Sequence, residues 1–270
     1  MMEAPAIYAV SMNPFDRSAE EERIATWSEL VPLERAQRIS RFRRWEDQWR
    51  SLAGDMLVRY VLKERYGLPA SAILFKRNAD NKPELVGGEL QFNVSHSGIW
   101  AVAAFHSEPV GIDIEKVGIA DMGLARSMFA PSENQALCRL SAERRNRFFY
   151  DIWTGKESYI KALGKGLSLP LDSFSVTGEA GGLAMGICSS FVKEAAAGEH
   201  GLNGLNHHKE GSHDEAAPLG LLKPFMVETG ATRSWHLRQC HVGDEYALTV
   251  CSLSPSWPNG ITIVNAAQLH

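Results

Sequence analysis

From Arg144 onward the apolar residues Phe148, Phe149, Ile152, Trp153, Ile160 and Leu163 recur at a helical period of about 3.6 residues. They predict one long helix ending at the glycine-broken stretch Gly164-Lys165-Gly166. Lys156 falls inside the apolar stripe and Glu157 beside it. Glu157 and Lys161 stand one turn apart, so carboxylate and ammonium project from the same side, at the edge of the buried face. Alone, such a pair reads as a surface ion pair.

The pattern ahead of this helix alternates strands and helices. Ile7 to Met12 predicts a first strand, which Asn13-Pro14 ends, and Ser18 followed by Glu20, Glu21 and Glu22 predicts a capped helix start. Residues 32–66 read as helical with breaks, stopped by Gly67-Leu68-Pro69. Strands are expected over 90–94 and 99–105, joined through Ser95-His96-Ser97-Gly98 as a polar hairpin turn. The stretch 110–115 reads as a strand with acids at alternate positions, placing Asp113 and Glu115 on one face and Ile112 and Ile114 on the other. Pro131-Ser132-Glu133 opens a helix to about Leu140, and Phe174-Ser175-Val176 reads as a short strand. Residues 178–220, rich in Gly, Ala, His and Glu, predict a flexible insertion. Strand patterns resume over 234–239, 246–251 and 261–264. The breaker Ser107-Glu108-Pro109 divides the chain into halves, 1–107 and 108–270, each pairing a long helix with a few strands. The fold class is α/β (α+β).

Composition narrows the classes. A chain of 270 residues with 44% hydrophobic content can bury one large core or two smaller ones. A formal net charge of -4 argues against a general nucleic-acid binder. No run of about eighteen apolar residues occurs and the N-terminus lacks a signal-peptide pattern, so a soluble, cytoplasmic protein is expected. Cys138, Cys188, Cys240 and Cys251 are too far apart for a zinc ribbon or redox pair and read as reduced thiols.

Against that acidic background Arg35, Arg38, Arg41, Arg43, Arg44 and Arg50 cluster around Phe42, Trp45 and Trp49. They read either as a solvated helix face or as a local anion site, since guanidinium forks suit phosphate oxygens. The pair Asp113 and Glu115 is either solvated or, with Glu157 as a third acid, a hard-oxygen site of the kind Mg²⁺ takes. His96 in a turn is ordinarily decoration, and Ser95 and Ser97 lack the frame of a nucleophile elbow. His200, His207, His208 and His213 in the insertion are weak evidence of a metal site.

Three stretches taken together carry a resemblance. Phe92-Asn93-Val94-Ser95-His96-Ser97-Gly98, Gly111-Ile112-Asp113-Ile114-Glu115 and Trp153-x-x-Lys156-Glu157-Ser158-x-x-Lys161 closely resemble the surfactin-synthetase-activating (Sfp-type) 4′-phosphopantetheinyl transferases. The resemblance spans most of the chain, and the length of the 178–220 region departs from it. It implies a pseudo-twofold fold with coenzyme A between similar halves. The implied reaction moves phosphopantetheine from coenzyme A to a serine of an acyl or peptidyl carrier protein, releasing adenosine 3′,5′-bisphosphate. Asp113, Glu115 and Glu157 correspond to Mg²⁺ ligands, with Glu157 also taking the serine proton and Lys161 facing the pyrophosphate. Arg35, Arg38, Arg50, Lys82, Ser95 and His96 correspond to coenzyme A-site positions, Arg50 and His96 at the 3′-phosphate. A monomer serving peptide, polyketide or fatty-acid carriers, docked near 122–129, is the expectation. A silent coenzyme A or nucleotide binder and a Mg²⁺-dependent pyrophosphate hydrolase are the rivals, and intact acids speak against the first.

Overall fold

The computed structural model describes residues 4–80, 82–164, 166, 169–176 and 235–270, with the backbone alone of 187–188 and 221–228. The N-terminal elements are β1 (Ala6–Ser11), α1 (Arg17–Leu30), α2 (Leu33–Ile39), α3 (Trp45–Glu64), β2 (Phe75–Arg77), β3 (Pro83–Leu85), β4 (Gln91–Ser97) and β5 (Trp100–His106). Then come β6 (Val110–Lys116), α4 (Met122–Met128), α5 (Pro131–Arg139) and α6 (Ala142–Leu163). The remainder is β7 (Ile187–Cys188), β8 (Leu221–Glu228), β9 (Trp235–Cys240), β10 (Tyr246–Ser252) and β11 (Thr262–Ile263). Among the described residues no helix is long and apolar enough to cross a membrane.

Two main sheets result, in the order β11-β1-β5-β4 and β6-β10-β9-β8-β7, while β2 and β3 form a separate ribbon. Helix α3 buries Trp49, Leu52, Met56 and Val61 against Val10, Ala101, Ala103 and Phe105 of the first sheet. Helix α6 packs Phe149, Ile152 and Tyr159 with Leu237 and Cys251 of the second. The opposite faces of both sheets share a third apolar cluster, in which Ile7, Ala9, Val102 and Ala104 meet Ile112, Ile114, Leu248 and Val250. Strict alternation on each strand supplies one residue set to the covering helix and the other to this shared layer.

Several expectations are revised. Helix α1 is capped by Asp16, which accepts from Ala19 N at 3.2 Å, so the helix begins ahead of Ser18. The hairpin turn is Gly98-Ile99 alone, and β4 runs through Ser97. Gly98 adopts φ +56, which lets the chain reverse in two residues, and its Cα lies close against the Tyr246 ring. Ser95, His96 and Ser97 are therefore strand residues, and polarity misled because it serves a seam between sheets. Residues 174–176 form no strand; a 3₁₀ turn over Leu171–Ser173 precedes them, and Val176 N bonds Glu133 Oε1 at 2.6 Å. Strand β8 went unread. The flexible insertion expected at 178–220 lies, β7 apart, outside the described residues.

At the seam, β4 and β6 lie side by side although they belong to different sheets. Side chains of β4 do what a ladder would do. Asn93 Oδ1 accepts from Ile112 N at 2.9 Å, Ser95 Oγ from Ile114 N at 3.3 Å and Ser97 Oγ from Lys116 N at 2.9 Å. Lysines serve the carbonyls of the same edge, Lys82 Nζ at 3.4 Å from Val110 O and Lys161 Nζ at 3.3 Å from Ile112 O.

Helix α6 approaches β6 closely at Gly111. A Cβ there would collide with the Ser158 carbonyl oxygen and lie 2.5 Å from Ala162 N, both backbone atoms that cannot turn aside. Gly111→Ala is expected to lower the unfolding free energy by about 3 kcal/mol or more. Urea denaturation measures this, and a loss below about 1 kcal/mol would show that the helix can lift off the strand freely.

Candidate active site

Helix α6 sorts its signature residues by direction. Lys156 points into the core, fully buried, and pairs at 2.8 Å with Glu133, itself fully buried on α5. Its ammonium also donates to Leu171 O at 2.7 Å and Phe174 O at 2.5 Å, and lies 4.4 Å from the Phe174 ring centroid. Burial lowers the Lys156 pKa while the Glu133 charge opposes that shift. Glu133 accepts from Ala130 N and Val176 N, so both charges are hydrogen-bonded, the condition under which a buried pair is tolerable. Lys156 thus clamps α5, α6 and the 171–176 segment. The sequence pattern had placed Lys156 in the apolar stripe; its partner Glu133 was noticed only as part of a helix start.

Glu157 and Lys161 face a cleft of about 1250 Å³ together with Ser95, His96, Asp113, Glu115 and Trp153. The expected pairing of Glu157 with Lys161 gives way to another. Lys161 Nζ reaches Asp113 Oδ1 at 2.5 Å, Ser95 Oγ at 3.1 Å and Ile112 O. Asp113, 3% exposed, receives the Ser95 hydroxyl on the same Oδ1 at 2.8 Å, while its Oδ2 is buried without any partner. Glu115 accepts from Ser97 Oγ at 3.0 Å. Burial first, then the charge of Asp113, raises the pKa of both Glu115 and Glu157. A buried orphan oxygen beside two acids raised by burial and by the Asp113 charge is a donor set suited to a hard cation. Among the described residues no three such groups are already drawn together tightly enough to hold an ion.

The same cleft has a basic wall. Arg35 bonds Asp55 at 2.6 Å and Ser51 at 2.9 Å; Arg38, Arg59 and Arg77 line the wall with it. Arg59 lies over the Phe75 ring at 5.2 Å, and its Nε is a buried donor with no acceptor. Desolvation, then the charges of Arg38 and Arg35, lowers the Arg77 pKa, the mark of crowded cations. The charge of Asp55 reaches Arg35, Arg59 and Arg77. Arg59 and Arg77 escaped the sequence reading because they join Arg35 and Arg38 only through folding.

Other expected site residues lie elsewhere. Arg50 donates to Gly98 O at 2.6 Å and pairs with Asp47, and it is not among the residues lining the cleft. Arg41, Arg43 and Arg44 are exposed and outside it too. His96 lines the cleft; desolvation, then Arg50 and Lys161, lowers its pKa, although the residue stays open to solvent. Lys82 turns toward α6, donating to Lys161 O at 2.6 Å, and burial brings its pKa down to about 8. It lines a smaller cleft of about 210 Å³ that touches Glu157 and Lys161 from another side.

Residues 109–208 match the family described as the 4′-phosphopantetheinyl transferase superfamily, and residues 18–108 match the 4′-phosphopantetheinyl transferase N-terminal family. The 4′-phosphopantetheinyl transferase Sfp of Bacillus subtilis (strain 168) is 40% identical over 269 residues, covering 97% of this chain and 99% of the relative. The 4′-phosphopantetheinyl transferase ffp of Bacillus subtilis is 41% identical over 171 residues, 63% of this chain and 75% of the relative. The L-aminoadipate-semialdehyde dehydrogenase-phosphopantetheinyl transferase of Xenopus laevis is 34% identical over 156 residues, 52% of each chain.

The acid cluster makes a stability prediction. A carboxyl with a raised folded-state pKa favours the fold where it is protonated, and that contribution is lost as pH rises through the folded value. In metal-free protein, Glu157→Gln is therefore expected to raise the melting temperature at neutral pH. The advantage should vanish as pH falls below the ordinary glutamate value of about 4.3. Scanning calorimetry against pH measures it; a variant melting below wild type at pH 7 would show that Glu157 is net stabilised by Lys161.

Proposed function

The chain belongs to the 4′-phosphopantetheinyl transferases and transfers phosphopantetheine to carrier proteins, and from that premise we propose that the donor is coenzyme A, that Mg²⁺ is required and that adenosine 3′,5′-bisphosphate leaves. The supporting observation is the cleft's polarity: acids and Lys161 at one end, a basic wall at the other. A donor with a pyrophosphate in mid-molecule and a phosphomonoester at its nucleotide end matches that division of charge.

Asp113 through Oδ2, Glu115 and Glu157 would hold the Mg²⁺, which when bound offsets charge on the pyrophosphate. Ionised Glu157 takes the proton from the carrier serine as the serine oxygen bonds to the phosphopantetheine phosphorus. The bond from that phosphorus to the bridging oxygen breaks, and the nucleotide departs with the electron pair. Lys161, already donating in three directions, turns one donor to that oxygen and stabilises its charge. Ser95, donating to Oδ1, keeps Asp113 aimed during the exchange.

The wider reading is of units 1–107 and 108–270 as pseudo-twofold halves with the donor between them. Two helix-covered sheets sharing one apolar layer support it. The carrier is placed near α4, where Ile119 is 88% exposed and Met128 adds apolar surface. The protein is read as a cytoplasmic monomer without nucleic-acid or membrane partners.

Incubation with coenzyme A, Mg²⁺ and an apo carrier protein, followed by weighing the carrier, tests the whole. Transfer adds phosphopantetheine, a hydrolase cleaves coenzyme A and leaves the carrier unchanged, and a silent binder does neither. Glu157→Gln is expected to lower turnover about a hundredfold or more, and Lys161→Ala to lower it with Mg²⁺ dependence kept. Near wild-type transfer by Glu157→Gln in saturating Mg²⁺ would remove Glu157 from the reaction.

The basic wall yields a second test. If the 3′-phosphate sits among Arg35, Arg38 and Arg77 beside His96, Arg77→Ala should cost coenzyme A about ten- to a hundredfold in kcat/KM and spare dephospho-coenzyme A. Loss of discrimination in Arg50→Ala instead would move the phosphate to the Gly98-Ile99 turn.

A further inference from the structure

Ser97 is set apart from the catalytic groups by what it touches. It lies near the end of β4, half-buried, and both sides of its hydroxyl are engaged on β6. The oxygen accepts from Lys116 N at 2.9 Å, which commits the hydroxyl hydrogen to Glu115 Oε2 at 3.0 Å. A single hydroxyl thereby ties the position of a carboxylate to the backbone that carries it. Ser95, two residues earlier, repeats the arrangement with Ile114 N and Asp113. Asn93, two residues before that, takes Ile112 N with no acid opposite. Alternate residues of one strand thus aim alternate acids of another.

We propose that Ser97 is a positioning residue for the transfer reaction, orienting Glu115 toward the divalent cation by holding its second oxygen to the β4–β6 seam. The proposal rests on the Mg²⁺ reading above. A hydrogen-bond donor behind a metal-binding carboxylate fixes its rotamer and favours its charged form, and removing such a donor commonly weakens metal binding by about tenfold or more. The change should leave the fold intact. Lys116 is exposed, so water replaces Ser97 at its N–H when the hydroxyl is removed. Ser97 is also absent from the lining of the main cleft, so donor contacts are not disturbed.

Mn²⁺ is the probe, titrated by electron paramagnetic resonance into free, full-length wild type and the Ser97→Ala, Ser97→Thr and Glu115→Gln variants. Steady-state transfer is measured in parallel against Mg²⁺ concentration. Expected are Mn²⁺ binding weakened about tenfold by Ser97→Ala and restored to within about threefold by Ser97→Thr, which keeps the hydroxyl on a residue suited to a strand. The Mg²⁺ concentration for half-maximal transfer should rise in step, with kcat at saturating Mg²⁺ and KM for coenzyme A changing less than threefold (about). If Glu115→Gln loses Mn²⁺ affinity while Ser97→Ala keeps it within about twofold of wild type, positioning by Ser97 is overturned and the metal reading stands. Glu115→Gln binding as tightly as wild type overturns the metal reading and this proposal with it. A Ser97→Thr variant no better than Ser97→Ala also overturns it, because bulk at the seam and not the hydroxyl would then be what matters.

Discussion

An exposed strand edge has to satisfy its N–H and C=O groups, and at β6 the protein does so with side chains. This choice governs the site. A backbone ladder between β4 and β6 would have filled the edge and merged the sheets, with nothing polar left over to aim at Asp113 and Glu115. Serine hydroxyls both accept and donate, so they can close the edge with their lone pairs and hold carboxylates with their hydrogens. Lys82 and Lys161 complete the edge at Val110 O and Ile112 O, which brings the α6 ammonium to the acids.

Charge is the second organising constraint. Two fully buried charges, Lys156 and Glu133, neutralise each other and lock the helices that support Glu157. The charges facing the cleft are segregated by sign, with Lys161 paired to one of the acids at the seam and Arg35 paired to Asp55 among the guanidiniums of the wall. Uncompensated charge inside a fold is costly, and it is tolerated where a ligand of opposite charge belongs. The orphaned oxygen of Asp113 and the orphaned Nε of Arg59 mark the two ends of that segregation.

Much of this was legible along the chain. Alternation at 110–115 correctly separated Asp113 and Glu115 from Ile112 and Ile114, because a strand's period of two is a local property. The apolar stripe of α6 was equally local, and it already showed Lys156 on the buried side with Glu157 at its edge. Polarity, however, was read through its commonest cause. Ser95-His96-Ser97 resembled a turn, and only the neighbouring β6 edge explains polar residues in mid-strand. The pairing of Phe174-Ser175-Val176 with Glu133 and Lys156 likewise replaced a sheet with a buried ion pair.

The sequence by itself determined the periodic elements, the facing of the acids and, through three short motifs, the family. Each depends on residues a few positions apart, where backbone geometry leaves little freedom. Tertiary structure alone decided the partners: Lys161 bonds Asp113 in place of Glu157, Arg77 joins Arg35 and Arg38 in place of Arg50, and Lys82 caps a carbonyl of α6. These side chains are long and have several oppositely charged or polar groups within reach in the sequence. Which group wins depends on where the seam and the cleft bring separate strands and helices together, and that is a property of packing across the whole chain.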